Sequence, residues 1–130
     1  MSARNVRSEK AIMNATLVAV SSLPDALVWR NNTGQAWQGG RVQARVGGTV
    51  TVQPGMVILA NARPVSFGLV GSADIIGAIQ GRPVAVESKA RSGRQEPEQI
   101  AFERQWVKSG GLYVLAGSEN EAIEGLLAGL

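Results

Sequence analysis

Apolar and polar positions alternate along this chain in patterns that change from helical to strand-like and back. Over residues 8–22, Ile12, Met13, Thr16, Leu17 and Val20 fall on one side at ~100° per residue, which predicts an amphipathic helix. Glu9 projects near the middle of the same side. Periodicity alone favours a carboxylate snorkelling from the first turn over one recruited to a site. Pro24-Asp25 ends the segment, and 27–32 reads as a strand running into a polar turn at Thr33-Gly34. Between 41 and 60 the pattern predicts short strands at 42–46, 49–52 and 56–59, broken by Gly47-Gly48 and Pro54-Gly55, an inserted β-ribbon. Two apolar runs, 73–79 and 83–90, flank Gln80-Gly81 and predict a hairpin.

Pro97 suits the first position of a helix that runs to about 109 and stops at Gly110-Gly111. A short apolar strand, 112–116, and a final helix, 119–127, with Ile123, Leu126 and Leu127 inward, complete the order. A strand, a crossover helix and a further strand form a right-handed unit. Residues 1–130 therefore read as a single α/β domain, a sandwich with a central mixed sheet flanked by helices and the 41–60 ribbon inserted.

Composition narrows the chemistry. The chain of 130 residues is long enough for a core, and no apolar run approaches a membrane span. The expectation is a protein without a membrane partner, placed in the cytoplasm. Cysteine and histidine are both absent, which excludes disulfides, the usual zinc sites, Ser-His and Cys-His nucleophile pairs and histidine bases. Catalysis would have to use carboxylates, lysine, amides, hydroxyls and a hard metal. The net charge of +3 is a mild bias toward anionic partners. Lys89, Arg91, Arg94, Arg104 and Lys108 are either a solvated basic face or an anion-binding one.

The hairpin concentrates the candidate chemistry. Centred on Gln80-Gly81, it sets Asp74 opposite Glu87, with Cβ atoms roughly 5 Å apart. Lys89, two residues beyond Glu87, shares its face. Two facing carboxylates disfavour each other's ionisation unless a cation lies between them. Oxygen donors of this kind suit Mg²⁺ or Mn²⁺.

Four segments in order, Trp29-Arg30-Asn31-Asn32-Thr33-Gly34, Phe67-Gly68-Leu69-Val70-Gly71-Ser72-Ala73-Asp74-Ile75-Ile76-Gly77, Glu87-Ser88-Lys89 and Gly93-Arg94-Gln95-Glu96-Pro97-Glu98-Gln99, resemble the virus-type replication-repair nucleases. These are a branch of the PD-(D/E)xK nuclease superfamily, and the match covers most of residues 9–118. Ala73 stands where the superfamily name has proline, and Ser88 replaces the apolar residue usual between the acid and the lysine. The resemblance implies a PD-(D/E)xK-like three-layer core and a metal-dependent endonuclease. It implies that Asp74 and Glu87 hold Mg²⁺ or Mn²⁺, with the main-chain carbonyl of Ser88. It places Glu9 with them as the acid completing the site, reversing the reading from periodicity. Lys89 would orient or activate water, and Gln99 would lie beside the site.

The same resemblance implies DNA as partner, with branched or junction DNA cut by a homodimer in the manner of Holliday-junction resolvases. A monomeric flap or nicking repair nuclease, and a non-catalytic DNA-binding module of a phage replication system, are the alternatives. Arg91 and Arg94, just past the site, are expected at phosphates. Arg30, Asn31 and Asn32 either contact the DNA or form an ordinary polar turn. Phe102 and Trp106, at i and i+4, read as core and not as stacking platforms.

Overall fold

The computed structural model describes residues 6–41 and 47–130. Its elements, in chain order, are α1 (Glu9–Ser21), β1 (Ala26–Arg30), β2 (Gly34–Arg41), β3 (Leu59–Phe67), β4 (Ile75–Ile79), β5 (Arg82–Ser88), α2 (Pro97–Lys108), β6 (Leu112–Ala116) and α3 (Glu119–Gly129). They divide into two compact units, residues 33–67 and the remainder.

The larger unit is α/β, with three helices and a four-stranded mixed sheet of order β1–β4–β5–β6. The first three strands are antiparallel neighbours, and β6 lies parallel to β5. The hairpin forms in the predicted register, Ile75 opposite Val86 and Ile79 opposite Arg82. Its turn residues, Gln80 and Gly81, take φ values of 52° and 78°. Positive φ at both central residues is what a tight I′ turn requires.

Alternation along the strands sorts the side chains. Ile75, Ile79, Val84, Val86, Val114 and Ala116 face a core completed by Met13 and Val20 of α1 and by Ala122 and Leu126 of α3. Each fully buried Val, Leu, Ile or Met side chain of this core contributes about 1.5–3 kcal/mol. Asp74, Glu87 and Tyr113 belong to the opposite face, where Phe102 of α2 packs at 6.3 Å from the Tyr113 ring. Helices therefore lie on both sides of the sheet. Ser8 caps α1 by accepting from the Ala11 amide at 3.1 Å, which leaves Glu9 in the first turn, near the favourable positive end of the helix dipole.

Several expectations require correction. The inserted ribbon spans 33–67 as a unit, and its paired strands are β2 and β3, not segments within 41–60. Thr33-Gly34 is thus the entry to a strand and not a closed turn. Glutamine and glycine dominate β2, so β-propensity gave no sign of it. The expected strand at 49–52 is absent: Val50 and Val52 are half-exposed, and a short β-branched run without a pairing partner gains nothing from its propensity. The expected strand at 42–46 lies outside the described residues, and that at 56–59 is not formed, only Leu59 belonging to a strand as the first residue of β3. In α3, Leu127 is 55% exposed, and Ala122 takes the inward position with Leu126. Phe102 and Trp106 stack with ring centroids 5.3 Å apart, yet both are only half-buried. With Leu69, Val70 and Ala101 they line an apolar groove of about 490 Å³.

Candidate functional site

Asp74 sits one residue before β4, at the end of its pairing with β1 and β5. The ladder runs from Ile75–Val86 to Ile79–Arg82, so its extension by one residue brings Asp74 to Glu87. The Asp74 Oδ2 atom accepts the main-chain N–H of Ser88 at 2.9 Å. Its carbonyl accepts the N–H of Asn31 at 2.7 Å. Burial pushes the Asp74 carboxyl above its usual range; the Ser88 N–H opposes this, Glu9 reinforces it, and Lys89 and Arg30 oppose it.

Glu87 is 3% exposed and is the most perturbed carboxylate of the site. Its Oε1 accepts from Gln99 Nε2 at 2.9 Å and lies 4.0 Å from Lys89 Nζ. Its Oε2 is buried with no hydrogen-bond partner among the described residues. Burial, then the neighbouring charge of Asp74, raises its pKa to about 7, against the pull of Lys89 and of the nearby Asp74 main-chain N–H, with Glu9 adding to the rise. Gln99 is itself fixed, because its Oε1 accepts the Glu96 N–H at 2.8 Å. Helix α2 therefore holds one end of Glu87 through its first turn.

That turn comes close because of Gly71. A Cβ at this position, where φ is +85°, would collide with the main-chain carbonyl of Glu98. The glycine thus allows the segment leading to Asp74 to pack directly on the start of α2. On the next layer, Gln95 donates to the Tyr113 hydroxyl at 3.1 Å, and burial pushes that phenol upward.

The sequence-predicted residues separate into three sets. Asp74, Glu87, Lys89 and Gln99 lie together, with the Ser88 main-chain N–H donating to Asp74. Glu9 stands at the rim: its Oε1 is 3.5 Å from the Ala90 amide, beside the loop that follows β5. It acts on both carboxylates electrostatically. Among the described residues, no three acidic side chains are gathered closely enough to hold an ion as they stand. Arg30, Asn32, Arg91 and Arg94 are exposed. Arg30 is near enough to influence Asp74. Asn31 differs from these four, since its amide nitrogen turns inward to Ser72 Oγ at 2.7 Å and the Ala73 carbonyl at 3.0 Å.

Ser72 and Gly71 are the site residues that pattern reading missed. Both lie far along the chain from their partners, and nothing local in the sequence announces the contacts. Comparison with protein-family models gave no match, and comparison with characterised proteins gave none. No helix among the described residues is long and apolar enough to cross a membrane.

Proposed function

We propose that the chain is a metal-dependent DNA endonuclease of the PD-(D/E)xK type, as its resemblance to the virus-type replication-repair nucleases suggests. The observation that carries this reading is Glu87: a buried carboxylate with one oxygen unpartnered, facing Asp74 and accompanied by Lys89. Leaving a buried carboxylate oxygen without a donor costs stability, and it is tolerated where a ligand completes the site. Hard oxygen donors, with no thiolate or imidazole in the chain, fit Mg²⁺ or Mn²⁺.

Asp74, Glu87 and Glu9, with the Ser88 carbonyl, would hold the ion. When bound, such an ion lowers the pKa of water and neutralises charge at a phosphoryl group. The protein's own groups supply the rest. Gln99 fixes the rotamer of Glu87. Lys89, on the same face, stabilises negative charge that develops on the phosphate and orients the attacking water. Arg30, Arg91 and Arg94 steer the DNA backbone toward the pair. The paired half-cuts of a junction would come from a homodimer with two sites.

Labelled four-way junction, flap, duplex and single-stranded DNA, each incubated with Mg²⁺ or Mn²⁺, test the proposal. Paired symmetric nicks in the junction are expected, and Glu87→Gln and Lys89→Ala should each abolish them. Cleavage only near free ends would assign a flap or nicking enzyme instead. Tight binding without cleavage, unchanged by either substitution, would overturn the enzymatic reading.

A further inference from the structure

We propose that Asn31 is a positioning residue for Asp74 and makes no contact with the DNA; this rests on the reading of Asp74 as half of the metal-binding pair. The regular ladder between β1 and β4 ends at Arg30–Ile75. Asn31 and Asp74 are the next pair in the same register, joined by one main-chain hydrogen bond past the last regular rung. Asn31 donates its main-chain N–H to the Asp74 carbonyl at 2.7 Å, and its side-chain amide nitrogen donates to Ser72 Oγ at 2.7 Å and to the Ala73 carbonyl at 3.0 Å. Three consecutive residues, 72–74, are thus held by one residue 41 positions or more away in the chain.

The Ala73 carbonyl accepts only, so the amide end that faces it must be the nitrogen. This also sets the residue type. Aspartate at 31 would aim a carboxylate at that carbonyl, and alanine would leave the carbonyl without its donor. On its other side Asp74 is tied through Oδ2 to the Ser88 N–H. Asp74 is therefore held at two points, its main chain by Asn31 just past β1 and its carboxylate by the Ser88 N–H at the end of β5. Loosening the first changes the second, and that coupling separates positioning from a DNA contact.

Residue-resolved amide hydrogen exchange on the metal-free protein tests it, with Asn31→Ala, Asn31→Asp and the milder Ser72→Ala. Exchange at the Ser88 amide should quicken about tenfold in the Asn31 variants while the Val86 amide, in the same strand, exchanges as in the wild type. Mn²⁺ affinity, by calorimetry, should fall about 10–100-fold, as for outer-shell partners of metal ligands. Affinity of the metal-free protein for a fluorescent DNA duplex should stay within twofold. Unchanged exchange at Ser88, equal acceleration at Ser88 and Val86, or a drop in metal-free DNA affinity would each overturn the assignment. Should the Asn31 variants not fold, Ser72→Ala, which removes one bond of the three, carries the same comparison. A wild-type protein that takes up no Mn²⁺ would remove the metal reading, while the exchange ratio still decides what Asn31 does.

Discussion

The carboxylate of Asp74 accepts the main-chain N–H of Ser88 at 2.9 Å, so the first acid of the site is bonded to the residue directly after the second. The two carboxylates are held close by backbone geometry and not by a flexible ion pair. Their mutual repulsion is therefore a fixed feature of the metal-free fold. Asp74→Asn keeps an oxygen that accepts from Ser88 and removes the charge. The Glu87 pKa should then fall from about 7, because the second cause of its elevation is gone. Carbon-detected NMR titration of the Glu87 carboxyl measures this. A Glu87 pKa that stays put in this variant would mean that the pair does not interact.

Gln99 gives a separate handle on the same carboxylate. It bridges the Glu96 main chain and Glu87, so its loss frees the Glu87 side chain without touching a charge. Gln99→Ala should lower Mn²⁺ affinity and cleavage about 10–100-fold. Gln99→Glu should be worse, since it sets a third carboxylate against Glu87 Oε1. Calorimetric titration and cleavage rates, run on both variants, check the ranking.

Stability of the metal-free protein should fall as pH rises. Glu87 is raised from 4.5 to about 7 in the fold, and Asp74 is raised as well. Between those values the folded state binds more protons than the unfolded chain, so each step upward in pH favours unfolding. The stabilisation is fully present below about pH 4.5 and is lost through about pH 7, with roughly 3 kcal/mol as the ceiling from Glu87. Thermal melts in chelator from pH 5 to 8.5 should show this decline. Glu87→Gln should flatten it, and Mn²⁺ should reverse it at the alkaline end.

Much of this site was legible in the sequence because the hairpin sets it. Gln80-Gly81 announces a two-residue turn, and once the turn is placed the register of Asp74, Glu87 and Lys89 follows by strand geometry alone. The α2 start was equally plain, from Pro97. What could not be read was anything joining residues distant along the chain. Asn31 looked like a polar turn or a DNA contact because its partners, Ser72 and Ala73, are met only after folding. The sequence pattern places the ribbon too narrowly because the valine-rich 49–52 run signals a strand more strongly than the Gly/Gln-rich β2 that pairs with β3. Propensity describes a residue's preference, and pairing needs a partner.

Gly71 and Gly81 separate close approach from backbone conformation. Both have positive φ, 85° and 78°. A side chain at 81 meets open space, whereas one at 71 meets the Glu98 main chain, which cannot swing aside as a side-chain tip could. Gly81→Ala should therefore cost about 1 kcal/mol, the strain of the left-handed region alone. Gly71→Ala should cost about 3 kcal/mol or more, because the start of α2 must also move. That movement carries Gln99 away from Glu87, so the same variant should lose Mn²⁺ affinity that Gly81→Ala retains. Urea denaturation of both variants, alongside Mn²⁺ titration, checks the pair. Equal losses of stability, with metal affinity intact in each, would show that the approach of α2 to the Asp74 segment does not govern the site.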